Sequence, residues 1–202
     1  HQGLENIAQK GLSYAEQIYP TLLKQSGIKS TPIMDIIFTS EDEILNGFAV
    51  WTNQTFIWVD QNDAAVWLED GKWLYQVLAH ELQHLIYFNA VDTWLPEPFG
   101  MIYSNVPSWF VEGLAEYMTE KWRPYRGDLY HKIHAYKGKI MSMRDPHMDG
   151  YSKLLLLAND YGDSSIVKIL NHRDDLGLYS FEEAFKENIG LSTDQFEDYR
   201  RR

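Results

Sequence analysis

His80-Glu81-Leu82-Gln83-His84 sets two imidazoles four residues apart, with a carboxylate beside the first. Residues four apart on a helix share a face, so both rings can grip one cation. Glu81 then stands where it can take a proton from a water on that cation. This is the HExxH pattern of zinc metalloproteases: two histidine ligands and a carboxylate general base. The competing structure is a core helix whose histidines are satisfied by ordinary hydrogen bonds.

A catalytic zinc takes three protein ligands and keeps one position open for water. The metzincin solution, a third histidine in HExxHxxGxxH, is excluded because Tyr87 replaces the Gly and Ala90 the His. The alternative is a glutamate on a second helix, and the run from Pro107 to Met118, PSWFVEGLAEYM, supplies one. Pro107 suits a first helical turn. Phe110, Leu114, Tyr117 and Met118 fall on one face, and Trp109, Glu112 and Glu116 on another. Two carboxylates one turn apart repel each other unless a cation lies between them. Glu112 is therefore expected to bind zinc, and Glu116 to accept the spare N–H of a ligand histidine and fix its tautomer. An acidic, solvated helix face is the alternative.

Taken together, HELQH and PSWFVEGLAEY resemble the gluzincin metallopeptidases. The likeness is strongest to the peptidase MA-like domain often found beside extracytoplasmic β-propeller repeats, and more distant to aminopeptidase N and thermolysin. It implies that Glu112, the glutamate of the EGxA element, is the third zinc ligand, and that Glu116 stands behind a ligand histidine. The segment between His84 and Glu112 is longer than in aminopeptidase N, and a loop takes up the difference. Asn46–Trp51 and Thr55–Val59 resemble the hairpin whose edge strand pairs with substrate backbone in those families. Tyr151-Ser152-Lys153-Leu154-Leu155-Leu156 resembles the tyrosine-led helix of aminopeptidases, which implies that the Tyr151 hydroxyl stabilises the oxyanion. The stretch from Ala184-Phe185 through Gly190-Leu191-Ser192 to Phe196 matches the C-terminal helices, so the likeness runs from about Ile33 onward.

The elements that must position these residues follow from periodicity. Between Trp73 and Phe88 there is no Gly or Pro, and apolar residues recur with a helical period at Trp73, Leu74, Val77, Leu78, Leu82, Leu85 and Ile86. The motif is thus expected on a largely buried helix, over about 72–89, a rigid mount for ligands. Leu4–Leu23 reads as an amphipathic helix broken at Pro20. Pro32–Thr39 reads as a buried strand, followed by a hairpin turning at Thr52-Asn53-Gln54. Asp60–Asp70 is expected to be a solvated polar loop, since it lacks the spacing of a calcium loop. Asn89–Val106 is expected to be an aromatic-rich loop, lining a substrate cleft or plugging the core. The chain reads as helical from about 107 to 202. Capping boxes are expected at Ser180/Glu183 and Ser192/Gln195. Strands first and helices later indicate an α+β fold.

Three further histidines can be placed. His131 and His134 would share one side of a helix, but no acidic partner lies near them in sequence for a second metal. His147 sits one turn before Tyr151, where it could assist at the oxyanion, although Asp145-Pro146 suggests a loop there.

The 202 residues are enough for a single domain with a substantial core. The net charge of −11 argues against nucleic acid or an anionic membrane as partner. With no cysteine, disulfides and thiolate metal sites are excluded. No apolar run is long enough to span a bilayer. Arg200-Arg201-Arg202 reads as a frayed basic end. The chain opens at His1-Gln2-Gly3 without a signal peptide. The resemblance implies an extracytoplasmic or secreted setting, so an export signal and companion domains are expected outside these residues.

The expectation is one zincin-like α+β domain, with a small N-terminal mixed sheet whose edge strand lies over the active-site helix. One zinc ion is held by His80, His84 and Glu112, with Glu81 as base and Tyr151 at the oxyanion. The substrate is a peptide or protein, cut by an endopeptidase or polypeptide-processing enzyme. An aminopeptidase of the same clan needs acids to hold a free amine, and NGFAV has none where aminopeptidase N has GxMEN. A non-catalytic zinc-stabilised interaction domain has no use for Glu81 and normally closes the fourth position.

Overall fold

The computed structural model describes residues 3–40, 46–59, 72–124, 126, 128–137 and 145–200. The first element, α1 (Glu5–Ser26), turns Ile7, Gly11, Ala15, Ile18 and Leu22 inward and closes on Gly27 in the left-handed conformation. Pro20 does not break it, contrary to the expectation. Pro20 and Glu16, whose carbonyl loses its partner, are both on the exposed side, so water takes the orphan group and the buried face stays continuous.

Three strands follow: β1 (Asp35–Thr39), β2 (Asn46–Val50) and β3 (Gln54–Trp58). The order is β1-β3-β2, with β1 parallel to β3 and β2 antiparallel to it. Among the described residues β2 is therefore an edge. The turn between β2 and β3 places Asn53 at φ 61°, a conformation that Asn tolerates better than most side chains. The first strand starts later than expected: Ile33 is 89% exposed and lies outside the sheet. The segment 60–71, which includes the expected polar loop, lies outside the described residues.

The helices come next: α2 (Lys72–Val91), α3 (Phe99–Ser104), α4 (Ser108–Met118), α5 (Asp128–Tyr136), α6 (Pro146–Tyr161), α7 (Asp163–Leu170), α8 (Phe181–Ile189) and α9 (Thr193–Arg200). The chain is thus α+β, a small mixed sheet followed by a mostly helical remainder. The expected loop from Asn89 is shorter than its composition suggested, because α2 continues to Val91 and α3 occupies part of the rest. The central helix α2 packs on α1, on β2 and β3, and on α4. It shields Leu74, Leu78, Leu82, Leu85 and Ile86 from solvent; with Ile18, Leu22, Ile57, Phe110, Leu154, Phe181 and Phe185 they belong to one core.

The closest helix pair is α4 with α6. A Cβ added to Gly150 would lie 2.0 Å from the Trp109 carbonyl oxygen, and one on Gly113 2.4 Å from the Gly150 carbonyl carbon. The two backbones touch, which only glycine on both sides allows. A buried charge cluster reinforces this corner: Asp149 pairs with Lys153 at 2.8 Å and with Arg200 at 2.7 Å, and Lys153 also meets Glu197. The Lys153 ammonium lies 4.6 Å over the Trp109 ring. Arg200 is therefore not a frayed end, because a buried carboxylate holds it in α9; Arg201 and Arg202 lie outside the described residues. Of the two expected capping boxes, Ser192 and Gln195 form theirs at 2.9 and 3.1 Å, whereas the Ser180 side chain makes no cap hydrogen bond.

Replacing Gly150 by Ala is expected to force α4 and α6 apart and lower stability by about 1–3 kcal/mol, as overpacking does. Urea unfolding of the variant checks this; an unchanged midpoint would contradict the backbone contact.

Candidate metal centre

The middle of α2 is apolar enough to be buried on nearly every side, so its polar residues are buried with it. His80, Glu81 and His84 are each less than a tenth exposed. They face a cleft of about 390 Å³ walled by the edge strand (Asn46–Ala49) on one side and by Val111, Glu112 and His147 on the other. Gly47 packs directly on Glu81: a Cβ there would come within 2.7 Å of the carboxylate Oε1. The strand thus fixes where the Glu81 carboxylate can point.

Helix α4 brings Glu112 to the two histidines. His80 Nε2 and His84 Nε2 are 3.1 Å apart, and Glu112 Oε2 lies 3.4 Å from the first and 3.3 Å from the second. Ligands at about 2.0–2.1 Å from a tetrahedral zinc lie about 3.3 Å from one another. The triangle therefore has the edge length that a tetrahedral site requires. Hydrogen bonds alone serve these atoms poorly, since two ring nitrogens that face each other compete for one carboxylate oxygen. A cation would accept a lone pair from all three. Burial pushes the His80 imidazole well below its ordinary pKa, and this outweighs the hydrogen bond to Glu112 that raises it. A neutral imidazole is the form that ligates. Burial works to raise the Glu112 carboxyl, but hydrogen bonds from His147, His80 and His84 hold it far below the carboxylate range. Burial raises the Glu81 carboxyl.

Behind the first histidine, Glu116 is 1% exposed, and its Oε1 lies 3.7 Å from His80 Nδ1. Two arginines reach the same oxygen, Arg123 at 3.4 Å and Arg126 at 3.2 Å. Arg123 also lies against His80 Nδ1. When Nε2 turns its lone pair to a metal, Nδ1 carries the proton, and Glu116 is the carboxylate that faces both His80 and Arg123 at ion-pair distance, its two oxygens having no hydrogen-bond partner among the described residues. His84 Nδ1 is buried without a hydrogen-bond partner among the described residues.

Helix α6 contributes a residue that Asp145-Pro146 had suggested would lie in a loop. Asp145 is instead the N-cap, accepting from the His147 backbone N–H, and Pro146 opens the helix. His147 stands in the first turn with Nε2 3.1 Å from Glu112 Oε2, its ring stacked on that of His80. The hydrogen bond to Glu112 raises the His147 imidazole above its ordinary pKa. Tyr151, one turn later, does not reach the cleft. Its side chain is fully buried, its ring packs against His131 and Tyr117, and the cleft lining does not include it. The heptapeptide from Asp145 to Tyr151 turns His147 to the cleft wall and packs Tyr151 into the core.

Among the described residues, the groups able to hold a metal are His80–His84–Glu112 and His80–Glu116–His147. The second contains a carboxylate already met by two guanidiniums, which makes the first the better candidate. Neither includes His131 or His134; His131 Nε2 lies 3.2 Å from the Met148 carbonyl. Sequence reasoning missed Arg123 and Arg126, whose signal was only their position a few residues beyond Glu116. Comparison of the chain with protein-family models, curated proteins and solved structures finds no match.

One zinc per chain is expected after dialysis, measured by elemental analysis. Glu116→Ala is expected to weaken its affinity by roughly 10- to 100-fold. Equal affinity of variant and wild type in a chelator competition would reduce Glu116 to a partner of its arginines.

Proposed function

We propose that this chain is a zinc-dependent metallopeptidase of the gluzincin type, with a zincin-like fold, acting as an endopeptidase or polypeptide-processing enzyme. The observation that carries the reading is the His80–His84–Glu112 triangle of tetrahedral edge length, with Glu81 beside it in an open cleft. A zinc ion held there supplies Lewis acidity: it brings the pKa of a water ligand to about 7 and polarises a carbonyl.

The remaining chemistry belongs to the chain's own residues. Glu81 takes the proton of the attacking water and passes it to the leaving amine. Its burial raises its proton affinity, which suits a base that must also give the proton up. His147 is the donor to the developing oxyanion: its Nε2 lies on the cleft wall, and the N–H that meets Glu112 turns to the oxyanion when Glu112 is engaged by the zinc. The edge of β2, unpaired among the described residues, offers backbone groups to an extended peptide, which would add as a further strand. No acid stands on β2 to hold a free amine, which favours internal cleavage over aminopeptidase action.

The deciding experiment is Glu81→Gln assayed on mixed peptides. Hydrolysis is expected to disappear while zinc content and circular dichroism stay as in wild type, since a base is lost and no ligand is. Wild-type turnover in that variant would sink the mechanism. A second pair of variants assigns the oxyanion donor. His147→Gln is expected to lower kcat by about a hundredfold, and Tyr151→Phe to leave it unchanged. The opposite ranking in steady-state assays would return the role to Tyr151.

A further inference from the structure

The reaction as described gives Arg126 no task. The cleft lining includes two guanidiniums, Arg123 and Arg126, in a chain whose net charge is −11. Both converge on the single buried carboxylate of Glu116. One arginine balances one carboxylate, and Arg123 is the one built in: its side chain is 10% exposed and lies between Glu116 and His80. Arg126 keeps 48% of its side chain exposed while lining the cleft, so it carries a charge that Glu116 does not need. Arg123 adds a buried Nε with no hydrogen-bond partner among the described residues. A half-exposed fork of donors on a cleft wall matches the planar, two-oxygen geometry of a carboxylate.

The distance is right for a substrate group. Arg126 Nη2 is 3.2 Å from the Glu116 oxygen, which is 3.7 Å from His80 Nδ1. These two contacts put the guanidinium at most about 7 Å from His80 Nδ1, on the far side of the ring from Nε2; extended chain advances about 3.3–3.6 Å per residue, so the guanidinium lies within about three residues of the metal-facing atoms.

We propose that Arg126, backed by Arg123, is a carboxylate subsite, and that the substrate presents a carboxylate within about three residues of the bond that is cut. The inference rests on the peptidase reading of the same cleft. The carboxylate has two sources, an Asp or Glu side chain or the C-terminus of the peptide. The rival account is that Arg126 only helps to hold Glu116, in which case its loss is felt at the metal and not in the choice of peptide.

The test is binding to the zinc-loaded Glu81→Gln protein, read by fluorescence anisotropy. The probes are labelled, alanine-rich peptides with one Glu scanned along the chain, each paired with a Gln twin and made with a free or an amidated C-terminus. A Glu at one or two adjacent positions, or the free terminus, is expected to tighten binding by about tenfold or more, the scale of a hydrogen bond to a charged group. Adding R126Q is expected to erase that difference and leave zinc occupancy intact, and R126K to restore only part of it. Preference for Glu in amidated peptides assigns the side chain, and preference for the free terminus alone assigns the terminal carboxylate. Equal affinity for the twins, including no binding of either, overturns the subsite, as does a preference that survives R126Q. So does an R126Q variant that releases zinc and weakens all peptides alike. Wild-type protein that binds with carboxylate preference and cuts nothing overturns the peptidase reading and leaves the subsite standing.

Discussion

The site depends on helices meeting at backbone distance. Glu112 lies next to Gly113 on α4, and His147 lies three residues before Gly150 on α6. Because the two glycines touch, the carboxylate and the imidazole are brought to 3.1 Å from elements that neighbour each other nowhere in sequence. The Asp149–Lys153–Glu197–Arg200 cluster then ties α9 across the same corner. Breaking one partner of such a buried group leaves an uncompensated charge, which is more costly than the intact cluster is stabilising. The C-terminal helix therefore takes part in holding the cleft, although none of its residues lines it.

Much of the centre was legible in the residues themselves. HExxH carries its geometry with it, because a four-residue spacing on a helix is a distance in space. The second helix was legible for a related reason: two glutamates on an otherwise apolar, aromatic run ask for a cation. Pro20 and Tyr151 show where such reading ends. The cost of a proline inside a helix falls when the carbonyl it orphans faces water, and burial is a tertiary fact. The orientation of α6 about its own axis decides whether His147 or Tyr151 faces the cleft. That rotation is fixed by Gly150 against Trp109, a contact between segments about forty residues apart in sequence.

Arg123 and Arg126 were illegible for a different reason. They belong to a turn after α4, where no periodicity ties a side chain to a direction. Their role appears only when Glu116 is seen to be buried and shared. A carboxylate 1% exposed beside a histidine is costly unless it has cationic partners, so its burial in itself called for a guanidinium. The same oxygen then serves two ends. It places a negative charge 3.7 Å from His80 Nδ1, and it draws two arginines to the cleft.

This sharing constrains what the cleft can prefer. Substrate carboxylate and Glu116 would compete for the same pair of guanidiniums, yet they need not displace each other, since Arg123 is buried with Glu116 and Arg126 is half exposed. The buried arginine holds its partner whatever occupies the cleft. The exposed one can exchange water for a ligand at small cost, because it is already half solvated. A residue that both anchored Glu116 and bound substrate would couple ligand occupancy to the tautomer of His80. Dividing the work between a buried and an exposed arginine would leave the surroundings of His80 unchanged whatever ligand the cleft takes.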